Sequence, residues 1–140
     1  MNRLARVAGW LSIVSLVGIV PHVMEDLRYG QAQNFHMTTV QFEWFSGAVA
    51  VVTTAAALAC LSGARWGAAG VFVIGVLWSV LGATDHYRAF LPGTFREGLS
   101  SRVWVWLIVG LQGAAAIVAG VAALRTPSAL RRDLPTPRPG

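Results

Sequence analysis

Charged residues are scarce in this 140-residue chain, 12% of the total against a 55% hydrophobic share, whereas a soluble domain carries about a quarter. That deficit excludes water as the main solvent of the fold. Cysteine occurs once, at Cys60. A lone cysteine excludes an intrachain disulfide and leaves a packing role. Lysine does not occur, every basic residue being arginine. No H-E-x-x-H, Cys-x-x-Cys, G-x-S-x-G or phosphate-cradling glycine loop is present, so no motif names a reaction.

What is abundant is apolar sequence in long tracts. Four of them, about 7–24, 44–62, 67–84 and 103–124, approach the ~20 residues a helix needs to cross a bilayer. The expected fold is therefore all-α, an integral membrane four-helix bundle in one domain over residues 1–124. Arg3 and Arg6 ahead of the first tract resemble the charged start of a secretory signal. After Val20, however, comes "PHVMED" and no small-x-small cleavage site, which predicts a retained membrane helix. Residues 125–140, "RTPSALRRDLPTPRPG", hold four prolines and four arginines, a composition that predicts a disordered, solvated tail.

Orientation follows from arginine, which is retained on the cytoplasmic side of short loops. Arg3, Arg6, Arg65, Arg125, Arg131, Arg132 and Arg138 fall on one side, and Arg28, Arg88, Arg96 and Arg102 on the other. Both termini are thus expected in the cytoplasm, in a multi-pass plasma (inner) membrane protein. Net charge is +6 inside and −1 outside. The asymmetry accounts for the basic balance, so membrane lipids are the expected contacts and nucleic acid is not. Ala115, Ala119 and Ala123 have the small-residue spacing that lets helices associate, which admits a homo-oligomer or a membrane protein partner.

Steps of three and four residues sort the polar and small side chains into one stripe per span. The first carries Ser12, Ser15, Gly18, His22, Asp26 and Tyr29, with Glu25 beside it. The second carries Glu43, Gly47, Ala50, Thr54 and Ala57. The third carries Gly75, Ser79, Gly82 and His86, flanked by Asp85, and the fourth carries Gln112, Ala116, Ala119 and Ala123. Three stripes end in an ionisable residue at the same outer level, and Pro21 removes a helix hydrogen bond just before the first of them, predicting a bend there. Phe42, Trp44, Phe45, Tyr87, Phe90, Phe95, Trp104 and Trp106 crowd the same boundary as an interfacial belt. The outer arginines are expected to pair with Asp26, Asp85 or Glu97, and His36 to be solvated.

Imidazole and carboxylate together suit zinc, iron or manganese. His22, Asp26, Asp85 and His86 are therefore a candidate divalent metal site, and the chain is best read as a scaffold or subunit that binds a metal or a lipid-like ligand there. The alternative is a membrane acid/base enzyme of isomerase or cyclase type acting on an isoprenoid-like lipid, with Asp26, Asp85, Glu25 and Glu43 as its carboxyl groups. The gross plan of four short spans with acids at the outer ends resembles several small membrane families, among them the sterol-isomerase and sigma-2-receptor group. No stretch matches that group's pattern, so none of its site residues is carried over.

Overall fold

The computed structural model describes residues 2–64, 66–96 and 98–125; the proline-rich tail expected to be disordered lies outside them. The described residues form α1 (Arg3–Arg28), a one-turn α2 (Gln31–Asn34), α3 (Thr39–Ser62), α4 (Gly67–Asp85), a 3-10 turn (Tyr87–Phe90) and α5 (Leu99–Leu124). The four long helices are apolar enough to span a membrane and pack as an all-α bundle, with no strand among the described residues. Each runs to or past the limits of its apolar tract, because polar ends such as "HVMEDLR" still favour helix once the backbone is committed. Pro21 lies inside α1, which continues through it to Arg28.

The helix ends explain the connections. Asn2 caps α1 by accepting a hydrogen bond from the Leu4 amide, and Thr38 and Gln41 form a reciprocal capping box at α3. Gly30 takes a left-handed φ of 72° directly after α1, which turns the chain back so that α2 lies over the bundle end. The connection "GQAQNFHMTT" is thus partly structured, with Gln31 and Ala32 buried. His36, as expected, is exposed.

Small residues set the close approaches. A Cβ at Gly75 of α4 would lie 2.6 Å from the Gln112 carbonyl oxygen and 2.9 Å from Ala116 Cβ on α5. One at Gly67 would lie 2.4 Å from the Cys60 backbone nitrogen. The α4 stripe packs against α5, Ser79 Oγ donating to the Val109 carbonyl at 3.2 Å. Cys60 is buried and its thiol donates to the Ala5 carbonyl at 3.0 Å, consistent with a packing role. Val17, Val20, Val51, Leu81 and Ile117 stay at least half exposed, as lipid-facing side chains would be.

Three stripes differ in part from expectation, the first only at its end, where Tyr29 is exposed. On α3 the buried residues are Phe42, Thr53, Ala56, Ala57, Ala59 and Cys60, while Glu43 and Gly47 are exposed. Nearly every residue of that span is small or apolar, so the sequence holds too little contrast to choose a face; contact with α1 and α4 chooses it instead. On α5, Ala122 is buried and Ala123 exposed. Ala115 and Ala119 are wholly buried inside this chain, so their spacing serves the bundle's own packing.

In mid-bundle, Gln112 is fully buried and its side-chain amide donates to Ser15 Oγ at 2.6 Å. Ser15 in turn donates to the Ser12 carbonyl at 2.7 Å. This gives the Gln112 amide nitrogen a polar partner on the α1 stripe, while its buried Oε1 has none among the described residues.

Candidate metal centre

One end of the bundle gathers the ionisable groups. His22 and Asp26 stand one turn apart near the end of α1, and both are buried. His86 is the C-cap of α4, its amide still bonded to the Gly82 carbonyl at 3.1 Å, and the 3-10 turn begins directly after it. Trp106 of α5 anchors that turn by donating to the Ala89 carbonyl at 3.1 Å.

The two histidines point the same ring nitrogen at each other. Their Nε2 atoms are 3.1 Å apart, with the rings edge-on at an interplanar angle of 83°. His22 Nε2 lies 3.4 Å from Asp26 Oδ2, and His86 Nε2 lies 3.9 Å from Asp26 Oδ1. Donor atoms of His22, Asp26 and His86 all fall within 4.8 Å of one another. Asp85 stands at the edge of this group: its Oδ2 is 3.5 Å from His86 Nε2 and accepts a hydrogen bond from Gln31 Nε2 at 2.8 Å, and its side chain is 36% exposed.

The expected set is thus brought together as three buried groups with Asp85 beside them. Two further candidates are not brought in. Glu43 is exposed on α3, because the buried face of that helix is turned away from the one it occupies. Glu25 is half-buried next to Asp26 on α1, and its buried Oε2 has no hydrogen-bond partner among the described residues.

Arg96 completes the cluster. Its Nη1 donates to Asp26 Oδ1 at 2.5 Å and its Nη2 lies 3.4 Å from His86 Nδ1. The guanidinium carbon sits 5.6 Å from the centre of the Tyr29 ring and 5.4 Å from that of Phe95, within reach of cation–π attraction. The pairing of an outer arginine with Asp26 was expected. Its contact with His86 was not, nor was the role of Phe95, which is buried and packs its ring 6.3 Å from that of His86. Gln31 was missed too. Arg96, Phe95 and Gln31 lie in connections, where no periodicity reports which way a side chain is carried; the only signal was that these connections were short.

Burial, followed by the nearby His22 ring, draws the pKa of His86 down from 6.5 to about 4 against the opposing pull of Asp26. At neutral pH its imidazole is therefore uncharged, the form that ligates a metal.

The spacing also suits an ion. Four ligands at zinc distances of 2.0–2.1 Å stand about 3.3 Å from each other in a tetrahedron. The contacts of His22 Nε2, 3.1 Å to His86 and 3.4 Å to Asp26, lie near that edge length, the His86–Asp26 gap of 3.9 Å is longer, and Asp85 adds a 3.5 Å contact to His86 from outside the three-residue group. Neither a protein-family model, a curated protein nor a solved structure matches the chain.

Proposed function

We propose that the protein is a small multi-pass membrane scaffold whose bundle end is clamped by one divalent transition metal ion. His22 Nε2, His86 Nε2 and Asp26 Oδ2 would be its inner ligands and Asp85 its fourth. The observation that carries this reading is the approach of two imidazole Nε2 atoms to 3.1 Å beside a buried carboxylate. Gaps of 3.1–3.9 Å between these groups admit an ion, whereas an isoprenoid-like lipid needs far more room, so the metal is favoured over acid/base chemistry on a lipid. A mixed nitrogen and oxygen set near tetrahedral spacing suits zinc ahead of iron or manganese.

Such an ion would tie the end of α1 to the end of α4. Elemental analysis of protein purified in mild detergent without chelator is expected to find close to one equivalent of zinc, iron or manganese per chain. Metal far below that level, both as isolated and after loading with zinc, would sink the proposal.

The site is further proposed to face away from the cytoplasm, on the strength of the arginine asymmetry. Cysteine introduced at Gln33 should react with an impermeant maleimide in intact cells, and cysteine at Ser128 only after permeabilisation. The reverse pattern would put the metal site on the cytoplasmic face.

A further inference from the structure

The metal reading leaves one group unaccounted for, the Arg96 guanidinium lodged against two of the proposed ligands. Among the described residues Arg96 and His36 are the non-glycine residues with positive φ, Arg96 at 46°. This is a backbone region that side-chain-bearing residues rarely adopt. His36 is exposed in a connection, whereas the Arg96 side chain is only 11% exposed and is fastened to Asp26. Its conformation is therefore held by what the side chain grips.

The proton pattern follows from donors and acceptors. A guanidinium donates and never accepts, so where Arg96 Nη2 meets His86 Nδ1 at 3.4 Å, that nitrogen offers a lone pair and the His86 proton sits on Nε2. The Nε2–H then points at His22 Nε2, 3.1 Å away, which accepts it. His22 carries its own proton on Nδ1, a buried atom with no partner among the described residues. Arg96, His86 and His22 thus form a directed chain of hydrogen bonds. In this state His22 presents a ligand lone pair that is already occupied, and His86 presents a proton where the metal would bind.

Metal ligation through His86 Nε2 needs the other tautomer. The Nε2 proton must leave to solvent and Nδ1 must take one up, so the imidazole stays neutral and the proton count is unchanged. Nδ1–H then faces an N–H of Arg96, and that contact becomes repulsive, while the divalent charge itself repels the guanidinium. The Asp26 bond does not have to break, because Arg96 holds Oδ1 and leaves Oδ2 toward His22.

We infer that Arg96 is a built-in competitor of the metal, a resident cation that holds His86 in the tautomer unable to ligate and thereby sets the affinity of the site. This rests on the metal reading. If the arginine-bound state dominates by about tenfold, apparent affinity is lowered by the same factor. A like charge within about 4–6 Å shifts a single-charge equilibrium by a comparable amount or more.

Competitive titration of the metal-stripped full chain in nanodiscs with zinc and a chelating dye tests it. Arg96→Gln, which keeps a hydrogen bond to Asp26 but loses the charge, should bind zinc about tenfold or more tightly than wild type. Arg96→Lys, which retains the charge without the forked geometry, should fall between them. If the glutamine variant does not fold, tighter binding by the lysine variant alone supports the inference. Binding by the folded variants that is equal to or weaker than wild type, with wild-type uptake abolished in His22→Ala, overturns the role of Arg96 and leaves the metal site standing. No zinc uptake that depends on His22 would overturn both.

Discussion

Replacing His22 or His86 with alanine is expected to cut zinc content to a small fraction of wild type, while His36→Ala leaves it unchanged. Loss even of an outer partner of a metal ligand costs about 10–100-fold in affinity, and loss of a ligand itself should cost at least as much. His22 and His86 come from different helices and meet at Nε2, so neither can be replaced by a neighbour on its own helix. His36 is exposed in the α1–α3 connection and serves as the matched control. The carboxylates should rank in the same way. Asp26→Asn removes a buried group that contacts both histidines and Arg96, whereas Asp85→Asn alters a partly exposed one that contacts His86 and Gln31. The first change should therefore weaken zinc binding more than the second. A purely structural cluster gives a different pattern: the four variants would shift thermal stability and leave metal content the same as wild type. Elemental analysis run beside a melting curve separates the two, and equal zinc in all variants would end the case for a metal clamp.

How much of this was legible in the sequence depends on how each part is encoded. The α1 stripe was readable because Ser12, Ser15, Gly18, His22 and Asp26 interrupt an otherwise oily helix at helical steps, and all five are buried. His86 could be placed because it continues the Gly75, Ser79, Gly82 row and ends α4. Two rows that end in imidazole at one level were enough to predict their meeting. Glu43 failed for the opposite reason. Its helix is so uniformly small and apolar that a rotation of one residue costs nothing in the pattern, and packing against Gly9 and Gly67 settled the face instead. The Cβ positions of those two glycines fall 2.8 Å from Leu61 Cγ and 2.4 Å from the Cys60 nitrogen. Arg96 was legible only as one of four arginines expected at the same end of the helices as His22 and His86. Its place between Asp26 and His86 depends on a backbone turn at positive φ, and a sequence pattern does not encode that path.

The packing that delivers His86 to the site carries the other large expectation. Gly75→Leu should prevent the bundle from assembling, and Gly75→Ala alone should destabilise it by about 1–3 kcal/mol, the usual cost of an added methyl group in a filled core. The first atom a Cβ meets there is the Gln112 carbonyl oxygen at 2.6 Å, a backbone atom, followed by Ala116 Cβ at 2.9 Å. Neither can swing aside as a side-chain tip would, so α4 and α5 must separate. Separation would also disturb the bond from Gln112 to Ser15 and leave a buried amide short of a partner, which adds to the cost. Gly82, on the same row, is a milder case: its Cβ would meet one side-chain methyl group, Val109 Cγ2, at 3.0 Å and no backbone atom within 4 Å. The control lies on α3, where a Cβ at Gly47 meets nothing within 4 Å. Gly47→Ala should be neutral or stabilising by up to about 1 kcal/mol, because alanine favours helix over glycine. Thermal unfolding in detergent reads the order directly, with Gly75→Ala below wild type and Gly47→Ala at or above it. If the two alanine variants melted together, α4 and α5 would not approach at Gly75, and the route by which α4 carries His86 to His22 would have to be redrawn.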